Sequence, residues 1–267
     1  MAVHFEASSS VGLLRVSFRV PAAEAEVAGS RLLELAPSGF EECAAGGMTE
    51  LAVYTDEAGA ERIRAAFAEH VSSETVPPGW EERWRAFHRP VRAGGLWIGP
   101  PWETPPPGEP AVVVDPGRAF GTGAHPTTRA CIEVLSQLDR GSVLDAGTGS
   151  GVIAVAAATL GFGPVFACDL DEDAVEAANL TSRQNGVGTD ILRADVLVDE
   201  LPDADLLVAN IELNVVEALL ARRPAPRAIT SGYLVHEQPQ VTGWMSVTRV
   251  ELDGWAADLL AFSGERF

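Results

Sequence analysis

The stretch from Val143 to Gly151, VLDAGTGSG, constrains this chain more than any other. A short apolar strand, Val143 and Leu144, runs into Asp145, and glycines then alternate at Gly147, Gly149 and Gly151. An apolar, alanine-rich helix is expected from Val152 to Leu160. Strand, glycine turn and helix in this order open a nucleotide-binding βαβ unit, where glycines let the backbone approach a ligand and the helix start offers N–H groups. The spacing separates two cofactor classes. A dinucleotide fingerprint, G-x-G-x-x-G, needs its third glycine at position 152, and this chain has Val152 there. The spacing present, D-x-G-x-G-x-G, is the one associated with S-adenosylmethionine, which has no pyrophosphate to seat. The plainer alternative is a glycine-rich turn in some other α/β domain.

The chain downstream alternates strands and helices. Val165 to Cys168 is a buried strand ending in Asp169, close to the roughly 20-residue separation expected for an acid that accepts from ribose hydroxyls. A helix over Glu172 to Gln184 closes at Asn185-Gly186, a third strand covers Asp190 to Arg193, and a fourth, Ala204 to Ala209, ends at Asn210. A helix over Glu212 to Arg222, a strand over Arg227 to Ser231, a short helical region broken by Pro239 and an antiparallel pair, Ser246 to Leu252 with Ala256 to Phe262, complete a seven-stranded doubly wound α/β sheet. Upstream, Val112 to Asp115 is a strand followed by a loop with Gly121 and Gly123. A helix starts near Pro126-Thr127-Thr128, where the two threonines serve either as caps or as site residues. His125 is a candidate general base, or a structural hydrogen-bonder.

The first 76 residues follow a βαββαβ order, the ferredoxin-like α+β arrangement: Gly12 to Val20 alternates with period two, Ala22 to Ala36 and Glu57 to His70 are amphipathic, and strands lie around Phe40, at Thr49 to Thr55 and at Val71 to Val76. This small domain, residues 1–76, holds no catalytic cluster, so recognition is its expected role. Trp80 to Phe87 is expected as a short helix. Residues 77–110, with Pro100-Pro101 and Pro105 to Pro107, are assigned to a linker, and residues 111–267 to the larger domain.

Charge and cysteine usage narrow the partners. The net charge of −19 disfavours sequence-independent nucleic-acid binding and favours a basic protein or a cationic small molecule. All 19 basic residues are arginine, which excludes Schiff-base lysine chemistry and a phosphate-loop lysine. Three scattered cysteines, Cys43, Cys131 and Cys168, are expected as reduced thiols of a cytoplasmic protein, with neither disulfide framework nor metal site. No apolar run is long enough to span a membrane, and MAVHFEASSS lacks the basic and apolar regions of a signal peptide. Oligomeric state is not legible.

Four blocks then occur in one order: AFGTGAHPTT (Ala119 to Thr128), VLDAGTGSGVIAVAA (Val143 to Ala157), CDLDEDAVEAANLTSRQNGV (Cys168 to Val187) and LLVANIELNVV (Leu206 to Val216). Together they resemble the bacterial PrmA family, methyltransferases of ribosomal protein eleven of the large subunit. The likeness covers roughly Trp80 to Ser231, and the GTGxHPTT block is its specific element. The resemblance implies a class I S-adenosylmethionine-dependent methyltransferase fold, N-methylation of lysine or N-terminal amines, and a basic ribosomal protein as partner. It also implies that Thr128 helps enclose the methionine part of the cofactor. Gly147, with Asp145 and Gly149, would contact methionine and ribose; Asp169 would accept from the ribose hydroxyls, and Asn210 would line the methyl-transfer site. Asp195 is a weaker candidate for the adenine amino group. No catalytic base is assigned. RRPAPRA (Arg222 to Ala228) and the short stretch over residues 233–245 depart from the family pattern on the substrate side. Three alternatives stand beside this reading: the same chemistry on another protein or a small amine, a nicotinamide oxidoreductase, and a non-catalytic binding module.

Overall fold

The structure, a computed structural model, describes residues 14–21, 24–36, 40–45, 47–67, 71–76, 88–116 and 121–263. The chain divides into two compact units, Met1–Ala86 and Phe87–Phe267. The helix expected over Trp80 to Phe87 lies outside the described residues, as do Ala119 and Phe120 of the glycine-histidine block.

In the first unit the elements run β1 (Leu14–Pro21), α1 (Ala25–Leu35), β2 (Glu41–Ala45), β3 (Met48–Thr55), α2 (Glu57–Ala66) and β4 (Ser72–Thr75). The sheet order is β2-β3-β1-β4 with every pair antiparallel, the ferredoxin-like topology. Alternation along β1 and β3 sends Val16, Phe18, Leu51 and Val53 to one face, where they pack with Leu32 of α1 and Ile63 of α2. Asp56 starts α2 by accepting from the Gly59 N–H at 2.8 Å.

The second unit holds β5 (Val91–Ala93), β6 (Leu96–Gly99), β7 (Ala111–Val113), α3 (Pro126–Ser136), β8 (Val143–Ala146), α4 (Val152–Thr159), β9 (Val165–Asp169), α5 (Glu172–Asn185), β10 (Asp190–Arg193), β11 (Leu206–Asn210), α6 (Leu213–Arg222), β12 (Arg227–Leu234), β13 (Trp244–Leu252) and β14 (Trp255–Phe262). Seven strands form one sheet of order β10-β9-β8-β11-β12-β14-β13, parallel except for the pairs that β14 makes. All four residues of β8 are buried, as the central strand of a covered parallel sheet requires. Six of the eight residues of α4 are buried as well, so this helix shows no amphipathic stripe. One core joins α3 and α4 to one face of the sheet, and a second joins α6 to the other.

Two expectations need correction. Of the expected linker over residues 77–110, the described part, 88–110, is not a plain linker, because β5 and β6 form a hairpin across Gly94-Gly95, β6 pairs with β7, and the compact unit begins at Phe87. Leu96, Trp97 and Ile98 are all buried, so this strand lacks the alternation that would mark it in sequence. The helical region expected before and after Pro239 is a turn followed by an irregular segment. There the carbonyls of Val235 and Glu237 accept from the Arg249 guanidinium, at 2.8 Å each, instead of from helical N–H groups.

Asn185 does more than end a helix. Its Oδ1 accepts from the Val113 N–H and its Nδ2 donates to the Val113 carbonyl, both at 2.7 Å, so the side chain pairs with β7 as a neighbouring strand would. Nδ2 also donates to Thr181 O at 2.8 Å. The strand leading into the glycine-histidine loop is thereby fastened to α5. Asn185→Ala should leave the Val113 backbone without these partners and cost about 1–3 kcal/mol. Urea unfolding of variant and wild type measures it.

Candidate active site

Chain direction places the ends of β8, β9, β10 and β11 on one edge of the sheet, and the strand order reverses between β8 and β11. Open α/β sheets bind ligands in the crevice at such a point. The loop leaving β8 is built from left-handed backbone, with φ of +73° at Gly147, +54° at Gly149 and +80° at Gly151. A Cβ on Gly147 would lie 2.4 Å from Ile211 Cγ2, and one on Gly151 would lie 2.8 Å from the Ala178 Cα of α5. Side chains are thus barred at both positions by conformation and by space. The N–H groups of Gly147 and Thr148 both donate to the Cys168 carbonyl of β9, at 2.9 and 3.0 Å.

Beneath this loop lies Asp145, only 1 % exposed. Its Oδ2 accepts from the Thr148 hydroxyl at 2.6 Å and from the Ala154 N–H at 3.1 Å, tying the turn to the first turn of α4. Burial pushes its pKa from 3.8 up to about 6, against the opposing effect of these two donors. The thiols of Cys131 and Cys168 sit nearby and are held protonated, chiefly by burial. They are not nucleophiles in this setting.

Asp169 stands at the rim. Its Oδ2 accepts from the Gly149 N–H at 2.9 Å and its Oδ1 from the Asp171 N–H at 3.1 Å. A carboxylate has about four lone-pair positions, so it can still accept further donors. Leu170 beside it is 60 % exposed, and its carbonyl accepts from Arg193 Nε at 3.0 Å. Asp195 closes its own turn, its Oδ1 accepting from the Leu197 N–H at 2.9 Å.

Asn210 and Thr128 are brought together from 82 residues apart, with Asn210 Nδ2 donating to Thr128 Oγ1 at 3.3 Å. Thr128 lies in the first turn of α3 and is buried. His125 is the N-cap of that helix: its Nδ1 accepts from the Thr127 N–H at 3.4 Å and lies 2.8 Å from Thr127 Oγ1. Burial lowers its pKa, and its ring meets Trp255 edge-on with centroids 4.9 Å apart. Its Nδ1 is thus engaged at the start of α3. The loop before it reaches the glycine turn through the Ser150 hydroxyl, which donates to Gly121 O at 2.5 Å.

Of the six residues singled out in sequence, Thr128 thus meets Asn210 and Gly149 meets Asp169. Gly147 borders Ile211, and Asp145 lies below the loop. Ser150, bonded to Gly121, and Ile211, against Gly147, were not anticipated. Serine inside the glycine motif was the available signal for the first, and the apolar Ile211 carries none. Among the described residues no group of three or more His, Cys, Asp or Glu could hold a metal ion, and no helix is long and apolar enough to cross a membrane.

A seven-stranded sheet of this order, with its glycine loop at the end of the central strand, is the fold of the class I methyltransferases. The family described as ribosomal protein L11 methyltransferase (PrmA) matches residues 46–257. The chain belongs to that family. A ribosomal protein L11 methyltransferase of Symbiobacterium thermophilum is 40% identical over 196 residues, covering 67% of this chain and 64% of the relative. One from an Exiguobacterium species is 39% identical over 186 residues, covering 65% and 60%. The matched stretch therefore spans less than two thirds of those curated relatives. A crystal structure of ribosomal protein L11 methylase from Lactobacillus delbrueckii subsp. bulgaricus aligns with TM-score 0.60 at 24% identity, over 66% of this chain and all of that one. That likeness bears on the fold alone.

The Asp145 pKa yields a test. A carboxyl whose folded pKa is raised binds its proton more tightly folded than unfolded, so its contribution to stability falls as pH rises from 3.8 through about 6. A shift of this size corresponds to about 3 kcal/mol. Asp145→Asn keeps an oxygen acceptor and loses the titration. Its stability relative to wild type should therefore rise by about that amount between about pH 3.5 and pH 7. Urea unfolding across the range reads the difference, and a constant offset would mean the carboxyl does not titrate in this window.

Proposed function

We propose that this protein transfers methyl groups from S-adenosylmethionine to amino groups, lysine side chains or the N-terminal amine, of ribosomal protein L11 in the cytoplasm. The observation that carries the proposal is the Ser150–Gly121 hydrogen bond, which joins the D-x-G-x-G-x-G turn to the GTGAHPTT block, both within the stretch 46–257 that matches the family. The residues present fit the cofactor. The absence of a side chain at Gly147 and Gly149 offers close backbone approach there, and Asp169 beside them retains acceptor capacity for ribose hydroxyls. When bound, the sulfonium supplies an already activated methyl group.

What remains for the chain is alignment and dryness. Asp145 pins the turn from below, Thr128 holds the Asn210 amide, and Asn210 orients the accepting nitrogen. That nitrogen must be uncharged. For a lysine of pKa about 10.4 the cost at pH 7.4 is roughly 4 kcal/mol, and for a terminal amine near 7.8 it is well under 1 kcal/mol. A chain terminus is the easier target, and lysine demands desolvation. The ferredoxin-like unit, in whose sequence no catalytic cluster is found, is assigned to recognition of the substrate. Mass spectrometry of ribosomal protein L11 incubated with labelled S-adenosylmethionine, with and without this protein, tests the reading; an unlabelled L11 would refute it.

Two outcomes follow from particular groups. Asp169→Ala should weaken S-adenosylmethionine binding by about 1–3 kcal/mol, because a charged acceptor is lost both to the ribose and to the Gly149 N–H. Unchanged affinity by calorimetry in the folded variant would remove Asp169 from the site. The second concerns the net charge of −19. A basic ribosomal protein should be drawn by this field, so kcat/KM should fall as salt shortens the Debye length from about 30 Å at 0.01 M to about 8 Å at 0.15 M, while cofactor affinity stays level. A flat profile would leave the acids to solubility alone.

A further inference from the structure

The turn that carries Asn210 rests on β12, and β12 is irregular at that point. Ile211 N–H donates to Ser231 O at 3.2 Å. The next residue, Gly232, has φ +102°, and a Cβ there would lie 2.1 Å from Ile211 O and 2.7 Å from its carbonyl carbon. The Ile211 peptide therefore lies directly on the Gly232 backbone. The β12–β14 register shifts between Ser231 and Tyr233, which makes Gly232 the extra residue of a bulge.

A bulge is a local break in the ladder and needs something to hold it. Here a buried polar network does so. Tyr233 turns its hydroxyl back across the bulge, 2.8 Å from Thr230 Oγ1, and donates to Asp258 Oδ2 of β14 at 2.9 Å. Asp258 is 0 % exposed, and its charge is met by Arg249 Nη1 of β13 at 2.9 Å and by the Ser246 hydroxyl at 3.3 Å. Arg249 Nη2 in turn takes the carbonyls of Val235 and Glu237, the segment that follows β12 on the same edge as Asn210. Burial raises the Tyr233 pKa, so the phenol keeps the proton that it donates. Every member has a partner, and such a network is rigid in a way an apolar core would not be.

We infer that Tyr233, Asp258 and Arg249 are positioning residues for methyl transfer: they lock the Gly232 bulge on which the Asn210–Ile211 turn sits, and so fix the Asn210 amide. The inference rests on the methyltransferase reading above. None of the three is assigned contact with substrate or cofactor, and the cofactor loop is held separately by Asp145, Cys168 and Asp169.

Tyr233→Phe keeps the ring and leaves Asp258 paired with Arg249, so it is the variant to make; Thr230→Val, which removes the hydroxyl facing the phenol, stands in if that protein does not fold. Two readouts are taken on the full chain. Hydrogen exchange at the Ile211 amide should quicken about tenfold. With L11 as acceptor, kcat should fall about tenfold or more while the KM for S-adenosylmethionine stays within about twofold. A general loss of stability would move the melting temperature without splitting kcat from KM. An unchanged kcat, or an unchanged Ile211 exchange rate, overturns the inference. A wild-type protein that transfers no methyl group refutes the functional reading instead, and the exchange measurement still decides whether the network holds the turn.

Discussion

The structure depends on one constraint: the chain leaving the central strand must turn in left-handed backbone at Gly147, Gly149 and Gly151 and remain fixed there. Glycine makes the turn possible, but its conformational freedom does nothing to hold it. The holding comes from three sides. Asp145 ties Thr148 and Ala154 from below, Cys168 O takes two N–H groups from the side, and Asp169 takes the Gly149 N–H at the rim. A carboxylate buried as deeply as Asp145 opposes folding at neutral pH, as its raised pKa records. The two donors offset part of that cost.

The same economy governs the opposite end of the sheet. Arg223 caps α6 in left-handed backbone, φ +57°, where a glycine is the usual choice. Its guanidinium lies 4.4 Å from the Phe262 ring centroid, a cation–π contact that a glycine could not make. The departure RRPAPRA, expected on the substrate side, lies instead where β12 begins, on the edge opposite Asn210, and this contact gives it a local physical reason. At the end where β11 and β12 finish, the bulge at Gly232 brings β12 under Ile211, and the polar network around Asp258 braces it there. The glycine loop and the Asn210–Ile211 turn are each backed by buried carboxylates and meet where Gly147 touches Ile211.

Much of this was legible in the residues. The D-x-G-x-G-x-G spacing and the alternation of apolar strands with capped helices gave the seven-stranded sheet, and β9 and β11 end where Asp169 and Asn210 suggested. What stayed hidden was tertiary. The hairpin of β5 and β6 was lost among prolines because its three- and four-residue strands are too short to show a period, although Gly94-Gly95 between apolar residues is itself a hairpin signal. The irregular stretch after Leu234 was expected as a short helical region broken by Pro239, and no local rule could foresee that its carbonyls accept from Arg249. Asn185 looked like a helix stop because pairing with a strand 72 residues away leaves no trace in spacing.

The glycine turn makes one demand on the ligand above all: it should take a cofactor without a pyrophosphate. Titration calorimetry of the whole protein with S-adenosylmethionine and, separately, with NAD tests this most directly. The account predicts saturable one-to-one binding of S-adenosylmethionine, and no heat from NAD beyond dilution. Saturable binding of NAD with none of S-adenosylmethionine would contradict it.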